Sequence, residues 1–333
     1  MFRQKHYYSN MSSKVFTALI CSFLGATTFL PTLRAAGNSE VKITDQGGKV
    51  RIEIGGKLFT EYLYQDVPRP YFYPVIGPND LEMTRNWPMK EAENEERDHK
   101  HHRSLWFTHG EVNGVDFWSE AEKVGKIVHE KFTEISSGKK SGVIRSQNKW
   151  VAPDGKIICT DDRTFRVYAR PDDRLFDFEV TVHASNGDLT FGDTKEGSMA
   201  IRLAETMRLK GKVGQGHIVN SNGVRDGDTW GKRADWVDYY GPVNGQTVGV
   251  AIFDHPQNPM HPTWWHVRDY GLFAANPFGV HDFESKPKGT GNFTVAAGKS
   301  ATFRYRFYLH PGDDKQAKVS DHYREYVSSI VSK

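Results

Sequence analysis

The sequence predicts an all-β fold, a large antiparallel β-sandwich with one C-terminal helix. Turn dipeptides recur along it: Asn113-Gly114, Asp154-Gly155, Asn186-Gly187, Asn222-Gly223 and Asn244-Gly245 each separate short segments rich in Val, Ile, Phe, Tyr and Thr. Such pairs tolerate positive φ and suit tight hairpins. Several segments beside them alternate apolar with polar residues, as in KVRIEIG (49–55), RTFRVYAR (163–170), LFDFEVTVH (175–183) and ATFRYRFYLH (301–310). A period of two with one apolar face marks half-buried antiparallel strands. The 31 glycines and 15 prolines fit a chain that turns often.

In chain order, the first element is a leader. Arg3, Lys5 and Lys14 precede an uncharged apolar run from Val15 to Leu30, followed by Thr32-Leu33-Arg34-Ala35-Ala36. This layout predicts a secretory signal peptide over residues 1–36, cleaved after Ala35 or Ala36, and therefore a periplasmic or secreted protein. The run is shorter than the ~20 residues a spanning helix needs. No later segment is apolar enough to span, so no membrane span is expected after cleavage. Four of the 44 Lys and Arg residues lie in the leader, which leaves 40 bases against 41 acids. A near-neutral chain without a basic block offers no electrostatic case for nucleic acid. Only Cys159 remains, so stability must come from a core and not from an internal disulfide.

Residues 37–333 read as one domain, without repeat, low-complexity linker or break in composition. The acidic stretch Glu91–Asp98 reads as a solvated loop, and Arg103 to Glu111 as a strand. On that strand Arg103, Leu105, Phe107, His109 and Glu111 share one face, and His102, Ser104, Trp106 and Thr108 the other. Residues 199–203 suggest a turn, residues 253–283 a long loop opened by prolines, and Asp314 to Val331 the helix. Oligomeric state is left open.

Four stretches carry residues suited to chemistry. The first, DHKHHR (98–103) with the strand after it, supplies His101, His102, Arg103 and His109. The second, 253–283, supplies His255, His261, His266, Trp264, Trp265, Asp269 and Asn276; rings that stack on sugar C–H faces beside groups that read hydroxyls make a sugar site. The third, 191–205, sets Lys195 beside Glu196, and a carboxylate beside a lysine is kept charged, which suits a general base. The fourth, 231–245, holds Arg233 in a mixture that fits a binding wall or an edge strand. His255, His261 and His266 match no metal-ligand spacing. There is no Gly-x-Ser-x-Gly elbow and no phosphate loop. No cofactor is predicted.

Four ordered motifs, HHRSLWFTHGEVNGVDFW, GDTKEGSMAIRLAE, GKRADWVDYYGPVNGQTVGVAIFDHPQNP and HPTWWHVRDYGLFAANPFG, resemble the PmoA-like family of exported bacterial proteins across about Val41 to Pro311. That family is often labelled methane oxygenase, but a chain with one signal-like apolar segment does not suit a membrane-embedded copper enzyme. More distantly, the architecture resembles the galactose-mutarotase-like supersandwich, whose members use a histidine acid and a glutamate base. By that analogy His102 or His255 is the acid and Glu196 the base. Arg103, His261, Trp264 and Asp269 hold substrate, joined by His101, His109, Lys195, Arg233, His266 and Asn276. The expectation is an exported carbohydrate-active enzyme working by His/Glu acid–base chemistry on a sugar ring or glycosidic linkage. A non-catalytic carbohydrate-binding protein is the alternative, and a metal-dependent enzyme the third.

Overall fold

A computed structural model describes residues 40–331; the leader expected at 1–36 lies outside them. Five strands come first, β1 (Val41–Asp45), β2 (Lys49–Ile54), β3 (Lys57–Leu63), β4 (Tyr71–Val75) and β5 (Leu105–His109). Four long strands follow, β6 (Lys126–Ser136), β7 (Ser141–Val151), β8 (Ile157–Tyr168) and β9 (Arg174–His183). Next are β10 (Leu189–Phe191), β11 (Gly197–Arg202), β12 (His217–Asn220), β13 (Trp236–Val243) and β14 (Gln246–Asp254). The chain ends with β15 (Trp264–Val267), β16 (Leu272–Asn276), α1 (Val280–Glu284), β17 (Phe293–Val295), β18 (Ser300–Pro311) and α2 (Val319–Val331).

These strands form two eight-stranded sheets, ordered β1-β2-β3-β4-β5-β11-β16-β15 and β12-β13-β14-β18-β9-β8-β7-β6, with β10 and β17 as a separate pair. Every pairing among them is antiparallel. The all-β sandwich expected from the alternating segments is therefore the observed architecture. Asn244 and Gly245, at φ 48° and 77°, close the two-residue hairpin that pairs Val243 with Gln246.

Alternation places the core between the sheets. Val50, Ile52 and Ile54 of β2, Phe165 and Val167 of β8, and Phe176, Phe178, Val180 and Val182 of β9 are all buried in one cluster. Rings meet across the gap: Phe72 and Phe165 lie 4.1 Å apart, and Phe59 and Phe176 5.6 Å. Each such side chain contributes about 1.5–3 kcal/mol through burial.

The central strands of the first sheet are buried on both faces. All of β5, β11 and β16 is buried, with Trp106, Ala200, Leu272 and Ala274 forming a second cluster on the outer face with Tyr71 and Trp118. That double burial erases the period-two signal. It explains why residues 199–202 of the expected turn lie in β11, and why the expected long loop at 253–283 contains the hairpin β15–β16. The proline-rich part is confined to the connection before β15.

Two boundaries also move. Helix α2 starts at Val319, not Asp314, because the Asp313 carboxylate accepts the backbone N–H groups of Lys315 and Gln316 and holds a turn, and Lys318 sits at φ 52°. The strand expected from Arg103 starts at Leu105, because Ser104 at φ 57° breaks the extension. The facing of His102 and Arg103 therefore does not follow from the strand. The stretch 231–245 resolves as β13, flanked by β12 and β14, so it is not an edge strand.

Inside the sandwich, Asp161 accepts hydrogen bonds from Asn148 Nδ2 (2.6 Å), Trp150 Nε1 (2.7 Å) and Arg163 Nη2 (2.9 Å). Both members of the ion pair are buried. Asp161→Ala leaves the Arg163 guanidinium buried without its partner, so we expect a loss of about 3–5 kcal/mol in denaturant unfolding. A change under about 1 kcal/mol contradicts this account.

Candidate functional site

The outer face of the first sheet carries an open cavity of about 760 Å³. Trp118 and Tyr270 supply aromatic wall, Trp118 standing on the outer cluster over the central strands. Glu196, Lys195, His99, His101, His266 and Arg268 also line it. The volume lies within the range of small-molecule sites.

Glu196 is positioned by its backbone. Gly110 N–H, just past β5, donates to the Glu196 carbonyl at 2.6 Å, and a Cβ on Gly110 would lie 2.8 Å from the Glu196 Cβ. Only glycine permits that approach. The preceding residues are pinned as well. Asp193 accepts backbone N–H groups from His281 (2.8 Å), Gly289 (3.1 Å) and Gly291 (2.9 Å), and Asn276 Nδ2 donates to the Thr194 carbonyl at 2.9 Å. Lys195 Nζ lies 3.5 Å from Glu196 Oε1 and 3.8 Å from Asp282 Oδ1. Lys195 and Glu196 thus meet in the cavity, whereas Asn276 supports the loop from beneath.

Across the cavity, the histidine segment rests on two fully buried arginines. Arg202 Nη2 donates to Asp98 Oδ1 at 2.8 Å, and Arg85 donates to the same oxygen and to the carbonyls of Asp98 and His99. Burial opposes charge on Asp98, but the His99 hydrogen bond and both guanidinium groups override it and hold the carboxyl well below the usual range. The last acid of the stretch expected to be solvated is therefore an anchor. His99 Nδ1 lies 3.0 Å from Asp98 Oδ2, so Nδ1–H donates to the carboxylate and Nε2 is the nitrogen left for a ligand. The His99 backbone has φ 43°, a region non-glycine residues seldom occupy.

His102, expected as the acid, is buried behind His99 and does not line the cavity. The rings stack at 4.8 Å, and His102 Nδ1 accepts from Arg202 Nη1 at 3.0 Å. Burial, then His101 and Arg202, push its pKa well below the ordinary value. His101 does line the cavity, with its pKa lowered to about 4 by burial and by Arg69. His266 is also on the wall, lowered to about 3 by burial and by Arg268. Its Nδ1 accepts from Trp230 Nε1 at 3.2 Å, which puts the neutral ring's proton on Nε2.

The other expected residues serve the scaffold. His109 faces the core, where it is lowered to about 4 by burial; its Nε2 donates to the Gly192 carbonyl at 2.7 Å and its Nδ1 accepts from Ser198. Arg103 makes a bidentate pair with Glu120, both bonds 2.7 Å. Arg233 donates to the Pro262 carbonyl and covers the Trp264 ring at 4.3 Å, and Trp264 Nε1 donates to Glu284. Trp265 is in the core. His261 donates from Nδ1 to buried Asp254 at 2.7 Å. Asp269 pairs with Lys210 at 3.2 Å beside the β15–β16 turn. None of these seven lines the cavity. His255, the other expected acid, lines a different cavity of about 600 Å³ on the second sheet, with Tyr326 of α2, and is lowered to about 4 by burial and by Arg304.

No signal in the sequence marks Tyr270, Trp118 and Asp282 as cavity residues or Asp98 as an anchor. A tyrosine in a turn and an acid in a charged loop have no local signature; only the doubled histidines nearby pointed to the place. Among the described residues, no group of three or more His, Cys, Asp or Glu is arranged to hold a metal, and no helix is long and apolar enough to cross a membrane.

His101, His102, His109, His255 and His266 all have folded pKa values below the ordinary 6.5. As pH falls below about 6.5 the unfolded chain takes up these protons first, so stability is fully present above that pH and declines toward about 4 and below. We expect the melting temperature to drop progressively between about pH 6.5 and pH 4.5; a flat profile there contradicts burial of neutral imidazoles.

Solved structures that are similar at low identity include the following three. The galactosidase domain of alpha-galactosidase-sucrose kinase AgaSK shows 9% identity and a TM-score of 0.38, over 83% of this chain and 41% of that one. A galactose mutarotase-like protein from Lactobacillus casei ATCC 334 shows 10% identity and 0.38, over 81% and 100%. A galactose mutarotase related enzyme from Lactobacillus acidophilus shows 10% and 0.32, over 81% and 97%. The chain thus spans less than half of the first of these. No curated protein matches by sequence. The family model that matches carries no PmoA-like label: over residues 49–324, by far the greater part of its length, the chain belongs to DUF6807, a family of unknown function.

Proposed function

We propose that this cavity binds a sugar and performs acid–base chemistry on it, with Glu196 and His99 as the exchanging groups. The observation that carries the reading is one cavity lined by a backbone-pinned glutamate, a histidine oriented by Asp98, and the rings of Trp118 and Tyr270. Aromatic faces suit the apolar C–H faces of a sugar, and the neutral imidazoles of His101 and His266 suit its hydroxyls. His99 takes the role expected of His102 or His255. Because Asp98 accepts from Nδ1–H, Nε2 is the atom that gains or gives the proton in either state of the ring. The Glu196 carboxylate accepts the complementary proton. The leader expected at residues 1–36 makes this an exported activity, in the periplasm or outside the cell.

Simple sugar binding is the second reading, favoured by the same two rings. A panel of mono- and oligosaccharides, scored by ligand-induced melting shifts and by NMR for product, separates the two. For an enzyme, Glu196→Gln and His99→Gln each reduce turnover by about 10²–10⁴-fold while affinity stays within a few-fold. Binding without product in the unsubstituted protein leaves only the binding reading, and no response to any saccharide refutes both.

A further inference from the structure

The charges around the cavity do not balance locally. Each carboxylate on the wall has a partner: Glu111 has Lys288 at 3.7 Å, Asp116 accepts from Ser119 and two backbone N–H groups, and Asp193 accepts from three. Glu196 and Asp282 share Lys195. Arg268 is different. Its guanidinium lies over the rings of Trp230 (5.8 Å) and Tyr270 (5.2 Å), contacts that use none of its five N–H groups. Among the described residues no carboxylate pairs with it and no acceptor takes its side-chain hydrogen bonds.

An arginine so placed is a receptor for a planar anion. Ring contacts restrict its position in advance, which reduces the ordering cost of binding, and the free fork matches the two oxygens of a carboxylate. The backbone supports the placement: Arg268 N–H donates to the Leu272 carbonyl at 2.7 Å and Arg268 closes the turn with Gly271, so its side chain leaves a fixed point at the end of β15. Arg268, Tyr270 and Glu196 all line the same cavity, so the cation and the exchanging carboxylate face one space.

We propose that Arg268 receives the carboxylate of an acidic sugar, so that the cavity is selective for uronic acids or saccharides that contain them. This rests on the reading of the cavity as a sugar site. The anionic group would sit beside Tyr270, with the ring of the sugar extending toward Glu196 and His99.

The test is titration of the intact protein by calorimetry with galacturonate and glucuronate oligosaccharides, their methyl esters, and the corresponding neutral galactose and glucose oligosaccharides. We expect the acidic sugars to bind at least about tenfold more tightly than ester or neutral forms. Arg268→Met should abolish that preference, so that acidic and neutral sugars bind within a few-fold of each other, while the melting temperature is retained. Arg268→Lys, which keeps the charge but not the fork, should recover only part of it. Equal affinity for acidic, esterified and neutral sugars overturns the uronate proposal and leaves the sugar site standing. Acid preference that survives in Arg268→Met also overturns it, and the absence of binding by every saccharide overturns both readings together.

Discussion

Two guanidinium groups sharing one carboxylate hold the site in shape. Arg85 and Arg202 are fully buried on the outer side of the first sheet, and Asp98 is the acid that both address. Without it, two cations would be left without their shared acid in a region of low dielectric, at a cost of several kcal/mol. With it, the segment that carries His99, His101 and His102 is tied down onto β11 and its neighbours. Arg202 reaches His102 as well, and Arg85 collects backbone carbonyls, so the segment is fixed by charge-assisted bonds rather than by regular secondary structure.

The opposite wall is fixed by different means. The 193–196 segment is held by backbone N–H groups on Asp193, by Asn276 on the Thr194 carbonyl, and by the glycine that lets β5 approach Glu196. Neighbouring strands of one sheet therefore present groups from distant parts of the chain: β5 with its leading histidines, β11 with Glu196 before it, and the β15–β16 hairpin with His266, Arg268 and Tyr270. A rigid sheet carrying irregular connections at its ends is a general way to build a precise site from loops.

Legibility in the sequence followed burial. Strands with one wet face, such as β2, β8, β9 and β18, announced themselves by alternation, and the Asn-Gly pair at 244–245 marked its hairpin. Strands buried on both sides did not: β11 passed for a turn and β15–β16 for a loop, because a continuous apolar or small-residue run has no period to read. Among site residues, Glu196, Lys195, His101 and His266 were found by the density of chemistry-bearing types around them. Arg103, His109, Arg233, His261 and Trp264 came from the same dense stretches yet turned to scaffold contacts, since density does not reveal which way a side chain points.

By itself the sequence determined the all-β class, the two-residue hairpin at 244–245, the C-terminal helix and the general regions where polar and aromatic residues concentrate, because these depend on local propensity and on periodicity of two. Tertiary structure alone decided which histidines line the cavity, which acid is an anchor, and which arginine is left without a partner among the described residues. Those outcomes depend on contacts between residues 98, 202 and 85, or 110 and 196, that are separated along the chain and brought together only when the sheets assemble. Charge and hydrogen-bond pairing are properties of that assembly, and no single stretch of sequence contains them.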